Sequence, residues 1–369
     1  MKRSEEPNRG GKKTWKRTVL AVLCIILALS LFLMVFATVF INRIMNQMNR
    51  VDPNKESALD PTYVSQMLAT DPELETIDPS STETLPHISD VTFPTEPTNG
   101  TESTEPTEPE SKGDHYINIL LIGQDRRPGQ GRQRSDSMIL VTINKSKKTI
   151  TLTSFMRDQY VQIPGYLPHK LNHTYQYGGM KLLNETLMLN FGVRVDGNVE
   201  VDLGGFVKII DMLGGVEINL TEAETRYINA CFNIDMKPGN NLLNGEQAKL
   251  YSQLREIDSD YRRAERQRKV LMSIINKYKS QPLDELISLT EQLLPMVTTD
   301  MSNSEILGYA MELFPMLTQM QFNTMRIPVD GTFQQGNVQV RDGVKNWFQY
   351  NIDFEANKKI LRQIWAEAE

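Results

Sequence analysis

The sequence predicts an α/β protein: a mixed central sheet with helices on both faces, preceded by one transmembrane helix and a disordered linker. Three observations predict it. Beyond residue 115, short β-branched runs alternate with helix-length apolar-periodic stretches, the pattern of a sheet covered on both faces. Near the N-terminus an uncharged apolar run is long enough to cross a bilayer. Between them lies a Pro-, Thr-, Ser- and Glu-rich stretch with too little apolar surface to fold.

Residues 1–18 form a basic tail carrying Lys2, Arg3, Arg9, Lys12, Lys13, Lys16 and Arg17. Residues 19–41, Val19 to Ile41, are uncharged and apolar, and at ~1.5 Å rise per residue they span the roughly 30 Å hydrocarbon core. A cleaved signal would have an apolar region of about 7 to 15 residues and a small-x-small site; this run is longer and ends in Val-Phe-Ile-Asn-Arg. The basic excess lies before the span, with Arg43 and Arg50 close behind it. The expected topology is therefore single-pass, with a cytoplasmic N-terminus and an exported body. Cys24 falls in the span and Cys231 is alone in the body, so no intrachain disulfide is available there.

Residues 42–114 read as an acidic, self-repelling linker, with a brief helical turn at Tyr63 to Leu68 as its one structured candidate. The body, residues 115–369, carries as many basic as acidic side chains. A neutral body weighs against a nucleic-acid surface, which needs a basic excess on one face. Its basic residues cluster instead, at Arg126 to Arg134 and at Arg262 to Lys269, which points to a localised anionic ligand.

Three strands are expected first: Ile117 to Ile122, Met138 to Ile143 and Thr149 to Phe155. If successive strands are antiparallel, three charged loops meet at one sheet edge: Gln124-Asp125-Arg126-Arg127, Arg134-Ser135-Asp136, and Arg157-Asp158. Two carboxylates there offer hard oxygen ligands to Mg²⁺, and arginine grips phosphate oxygens in a bidentate fork. On spacing alone a metal-dependent phosphate site and a set of solvated ion pairs both remain open.

A loop holding Lys170, Asn172 and His173 should follow, then a helix over 179–191, a strand at 198–203, a helix at 205–213 and a strand at 215–220. His169 and His173 read as satisfied or solvated histidines. A helix ending near Arg255 and a second starting at Tyr261 behind a Ser259 or Asp260 cap are expected next. On the second, Arg263 and Arg266 share a face beside Gln267, close to a positive helix end. Apolar-periodic segments at 283–294 and 305–316 and a closing helix at 354–365 complete the body.

These residues give the body a resemblance to the LytR-CpsA-Psr domain, also called the cell envelope-related transcriptional attenuator domain. The resemblance rests on Gly-x-Asp125-x-Arg127, Arg134-Ser-Asp136, Ser154-x-x-Arg157-Asp158, Lys170-x-Asn172-x-x-Tyr175-x-x-Gly178-Gly179, Asp211-x-x-Gly214-Gly215-Val216 and Asp260-x-x-Arg263-x-x-Arg266-Gln267. It implies a three-layer fold on a membrane anchor in a Gram-positive-type envelope. It also implies a phosphotransferase that moves a teichoic-acid- or capsule-like glycopolymer from undecaprenyl pyrophosphate to peptidoglycan. Carried over by position, Asp125 and Asp136 would bind Mg²⁺, with Arg134 and Arg157 completing the catalytic set; either carboxylate could also take the acceptor proton. Arg127, Lys170, Arg255, Arg263, Arg266 and Gln267 would hold the pyrophosphate. Three positions depart from the family pattern: Gln253-x-Arg255 replaces Arg-x-Arg, Met156 stands where Pro is usual, and Arg262 where a small residue is common. The Gln253 departure motivates an alternative, a polyprenyl-pyrophosphate-binding envelope protein or pyrophosphatase with little or no transfer.

Overall fold

The computed structural model describes residues 41–77, 84–91, 93, 115–124, 126 and 129–367. Residues 1–47 group as one compact unit, described over 41–47, where 41–45 are helical. The second unit is Met48–Glu369. No helix among the described residues is long and apolar enough to cross a membrane; the basic tail and residues 19–40 of the expected span lie outside them.

The centre of the second unit is a seven-stranded sheet. Its middle is β1 (Tyr116–Gln124), β2 (Ser135–Asn144) and β3 (Thr149–Phe155), paired antiparallel in succession. β4 (Gly197–Asp202) adds parallel to β1. Asn118 Nδ2 donates to the Arg194 carbonyl at 2.8 Å, tying β1 to the turn before β4.

Alternation along the strands sends side chains to two faces. Leu120, Ile122, Met138 and Leu140 are buried in one core with Leu183, Leu187 and Phe191 of α2 (Leu171–Phe191), shared with Leu361 near the C-terminus. Ile117, Ile139, Ile150 and Leu152 face the other way, where Leu271 and Met272 lie against them. Helices therefore cover both faces of a mixed sheet, as the composition predicts. Beside it a second core holds α3 (Leu203–Met212), β5 (Val216–Leu220), α4 (Glu222–Phe232), β6 (Gly239–Leu243), α5 (Gly245–Gln253) and, from α6 (Asp260–Lys279), Val270 and Ile274.

Four expectations need correction. The 169–179 stretch is not a loop: α2 begins at Leu171 and breaks at Gly178 and Gly179, the latter at φ +66°. The strand expected at 215–220 does not join the main sheet but pairs antiparallel with β6. α4 went unread, although Thr221 and Glu224 form a reciprocal capping box at its start.

The fourth correction is the largest. The linker expectation fails over the described part of 48–77, which packs on the body. α1 (Pro61–Ala69) is capped by the Asp60 carboxylate and buries Val64 in the main core. Upstream, Glu56 accepts the Met180 N–H at 2.8 Å, satisfying the backbone where Gly179 interrupts α2. The most Thr-Glu-Pro-rich part, 94–114, lies outside the described residues.

After α6 come α7 (Leu283–Leu293), α8 (Asn303–Leu313) and β7 (Gln321–Ile327). β7 runs parallel to β3 at the sheet edge. An unforeseen hairpin follows, β8 (Gln334–Arg341) and β9 (Val344–Tyr350), turning at Asp342-Gly343 with Gly343 at φ +70°. The chain closes with α9 (Phe354–Trp365).

Candidate functional site

Because β1, β2 and β3 are antiparallel in succession, the end of β1, the start of β2 and the end of β3 meet at one edge. Asp125 and Arg127, directly beyond β1, lie outside the described residues. Arg134, Asp136 and Arg157 are brought together as expected. Arg157 Nη1 donates to Asp136 Oδ1 at 2.7 Å, and its Nε lies 3.4 Å from Asp158 and 3.8 Å from Asp260. Burial works against the Arg157 charge, but Asp158, Asp260 and Asp136 outweigh it and hold its pKa above the ordinary arginine range.

α6 delivers the next cation. Ser259 accepts the Arg262 N–H at 3.4 Å, fixing the first turn. Arg263 then sits 2.9 Å from Asp260. Burial, with Arg157 and Arg255 nearby, outweighs Asp260 and brings the Arg263 pKa down to about 10. The Nε atoms of Arg157 and Arg263 are buried without a hydrogen-bond partner. Guanidinium donors left without a hydrogen-bond partner suit a ligand that brings its own acceptors, as an anion does.

Two carboxylates that sequence reasoning missed close the other side. Asp71 and Glu73 follow α1 and lie 3.5 and 3.3 Å from Arg134 Nη1. Lys170, 2 % exposed, is held by Glu73 and by Asp158 at 3.1 Å. His173 Nε2 lies 3.1 Å from Asp71, and His173 Nδ1 is 2.9 Å from the Asn172 side-chain oxygen. Burial would raise the Asp71 pKa, but the His173 contact, the Glu73 amide and Arg134 hold it well below the usual carboxylate range. Burial pushes the His173 pKa below its ordinary value, against the pull of Asp71 and Glu73. His173 is thus a satisfied histidine, as expected, and its partner Asp71 also faces Arg134; the only sequence hint for Asp71 was the short helix at Tyr63 to Leu68.

Two metal readings can be tested against these side chains. Asp71, His169 and His173 place one ligand atom each within 4.8 Å of one another, but Arg134 Nη1 is 3.4 Å from His173 Nε2 and already supplies the cation. Asp136 suits Mg²⁺ better: it is a hard oxygen donor, its side chain is 39 % exposed, and among the described residues its Oδ2 makes no hydrogen bond.

Other expected ligands divide. Arg266 does not join the cluster, since Glu224 takes its Nε, the Leu254 carbonyl its Nη1 and Asp258 its Nη2. It ties α4 to the α5–α6 turn. Arg255 is exposed, near enough to Asp260 and Arg263 to influence both. Gln267 and Gln253 line a cavity of about 320 Å³ together with Asp136. The rest of that lining is largely apolar, including Leu121, Val199, Phe206, Ile209, Leu271 and Ile274. A charged cluster and a largely apolar cavity thus share Asp136.

A family model, the LytR_cpsA_psr family, matches residues 88–363. The chain belongs to the LytR_cpsA_psr family. Regulatory protein MsrR of Staphylococcus aureus (strain Mu50 / ATCC 700699) is 30% identical over 254 residues, 68% of this chain and 76% of that protein. The polyisoprenyl-teichoic acid–peptidoglycan teichoic acid transferase TagT of Bacillus subtilis (strain 168) is 32% identical over 220 residues, 57% of this chain and 66% of its own. The crystal structure of B. subtilis TagT superposes with a TM-score of 0.54 at 27% identity, covering 69% of this chain and 93% of TagT. TagT with bound octaprenyl pyrophosphate lipid superposes at 0.52 and 26% identity, over 69% and 91% of the two chains. One relative in the family, TagT, is thus a teichoic acid transferase, and it binds octaprenyl pyrophosphate lipid.

Within this member Arg134, Arg157, Lys170 and Arg263 face Asp71, Glu73, Asp136, Asp158 and Asp260, so the cations do not outnumber the carboxylates. An incoming phosphate must compete with Asp71 and Glu73 for Arg134 and Lys170. Neutralising both, as Asp71→Asn with Glu73→Gln, is expected to tighten inorganic pyrophosphate binding at least about tenfold, because one charge-assisted hydrogen bond freed from competition is worth roughly 1.5 to 3 kcal/mol. Calorimetric titration of both proteins measures it, and equal affinities would show that the two carboxylates do not contest the anion.

Proposed function

We propose that this protein is a membrane-anchored phosphotransferase that attaches an undecaprenyl-pyrophosphate-linked glycopolymer to peptidoglycan. The observation that carries the reading is the apolar cavity sharing Asp136 with an arginine cluster whose buried donors lack acceptors. Such a pair of sites suits a ligand with a hydrocarbon chain at one end and phosphates at the other. The relatives' activity and the lipid bound to TagT support the same assignment.

In this proposal Arg134, Arg157 and Arg263 hold the pyrophosphate oxygens and fix the donor phosphorus for in-line attack. The acceptor hydroxyl oxygen bonds to the phosphorus that carries the sugar. The bond from that phosphorus to the bridging oxygen breaks, and lipid phosphate leaves. Asp136, through Oδ2, or Asp125 would take the hydroxyl proton. Mg²⁺ held by Asp136 with Asp125 would neutralise charge on the phosphate oxygens, and the abundance of carboxylates is the reason to expect it.

Lengthening Val199 into the cavity tests the lipid half. Val199→Phe is expected to weaken a polyprenyl pyrophosphate at least about tenfold while leaving inorganic pyrophosphate unchanged, since overpacking acts on the chain and not the head group. Equal loss for both ligands would separate the cavity from the lipid. Gln253 lines the same cavity from the end of α5, and Gln253→Arg is expected to tighten lipid pyrophosphate about tenfold by replacing a neutral donor with a charged one. Unchanged titrations at low and moderate salt would leave the glutamine without a role. For topology, protease added to wall-stripped cells should remove the body and leave a small anchored stub; full protection would reverse the orientation.

A further inference from the structure

On the other side of α6 from the lipid cavity lies an open groove of about 770 Å³ with mixed polar and apolar walls, bounded by α6, β5 and Thr324 of β7. Its lining includes Arg268, Lys269 and Lys277, the carboxylates Glu217 and Glu265, and the polar side chains Asn219, Ser273 and Asn276. Arg268 is 8 % exposed. Its Nη1 donates to Ser154 Oγ at 2.7 Å, and its Nε is buried without a partner. Glu265, one turn earlier, is committed to Arg262 and Lys269, each at 2.8 Å. Among the described residues Arg268 therefore has no carboxylate of its own.

Two residues away on the same helix, Arg266 shows what a satisfied buried arginine looks like, with two carboxylates and a carbonyl on its three nitrogens. A buried guanidinium without a counterion costs stability. Burial depresses the Arg268 pKa, Glu265 offsets this in part, and Arg326 adds repulsion. A groove-lining cation that the protein leaves uncompensated fits a counterion brought by a ligand. Lys277, also in the groove, makes no ion pair among the described residues.

The groove is within reach of the reacting centre. Ser154 pairs with Ile139 in the sheet; Asp136 lies three residues before Ile139 on β2, roughly 10 Å of extended chain, and Arg157 stands in the turn three residues after Ser154. Amide and hydroxyl side chains between the cations favour a strand that presents hydroxyls and amides as well as negative charge. We propose that this groove binds the carboxylate-bearing peptide stems of the glycan acceptor, with Arg268 and Lys277 as the carboxylate ligands. The inference rests on the transferase reading and names the acceptor subsite.

The test uses full-length protein in detergent and needs no turnover. Three probes are titrated: wall glycan fragments with free stem carboxylates, the same fragments amidated, and a phosphate polymer without carboxylates. Wild type should bind the free carboxylate form at least about tenfold tighter than the amidated form. Arg268→Met should lose that preference, keep its affinity for polyprenyl pyrophosphate, and unfold at the same or a higher temperature, because it removes an uncompensated buried charge. A purely structural arginine would instead lower the unfolding temperature and leave the preference intact. Should Arg268→Met fail to fold, Lys277→Ala must weaken carboxylate fragments about threefold or more. The proposal is overturned if these variants bind the fragments as wild type does, if wild type does not discriminate carboxylate from amide, or if it prefers the phosphate polymer. Protein that binds acceptor through Arg268 yet transfers nothing would instead count against the transferase reading.

Discussion

Asp136→Ala is expected to lower turnover by about 10²- to 10³-fold, the scale seen when one preorganised electrostatic group is removed from an active site, with little change in thermal stability. The loss is large because Asp136 orients Arg157 through a 2.7 Å hydrogen bond, lines the apolar cavity, and has an Oδ2 without a hydrogen bond among the described residues, which in the proposed reaction would serve an acceptor proton or a metal ion. The fold should tolerate the change because its side chain is partly exposed at the sheet edge and takes no part in the cores. Steady-state transfer alongside a melting curve decides the point. If the variant keeps full rate, with and without a chelator, both the proton-acceptor and the magnesium roles are wrong.

Arg157→Lys is expected to lose activity nearly as completely as Arg157→Ala, by about 10²-fold or more. An ammonium keeps the charge but cannot reach Asp136, Asp158 and Asp260 in one plane while offering a fork to a phosphate. Removing the guanidinium also leaves Asp158 and Asp260 short of a cation, and Asp260 is already pushed by burial above the ordinary carboxylate range. A drop in stability therefore accompanies the loss of activity. Pyrophosphate affinity separates the two effects: a folded Arg157→Lys protein that binds as tightly as wild type would show that charge, and not the fork, is what the site uses.

The strands and the charged edge were legible because local chemistry and tertiary structure agree there. β1 to β3 are β-branched runs with clear punctuation, and antiparallel succession is the cheapest connection over such short turns. From that follows the meeting of Arg134, Asp136 and Arg157, and the helix carrying Arg263 was bounded by its Ser259 cap. What was not legible depended on long-range partners. Arg266 and Arg263 look alike on a helical wheel, yet Glu224 and Asp258 claim Arg266, and nothing local announces that. Lys170 is held at the start of α2 by Glu73 and Asp158, and Glu56 satisfies the backbone at the Gly179 break; the Glu73 and Glu56 contacts join residues far apart in the chain. Asp71 and Glu73 were hidden by composition, since an acidic stretch before a disordered run resembles the run itself. The family resemblance supplied roles that spacing alone left open.

The central claim is transfer of a lipid-linked polymer to a wall glycan. The most direct measurement incubates the full-length protein with a polyprenyl-pyrophosphate oligosaccharide and Mg²⁺, with and without wall glycan strands, and analyses both products. The account predicts lipid monophosphate released in step with an oligosaccharide joined to the glycan through a phosphodiester, both dependent on the acceptor. Release of lipid monophosphate and free oligosaccharide phosphate at the same rate without glycan strands, with no conjugate when they are present, would contradict it and make the protein a pyrophosphatase.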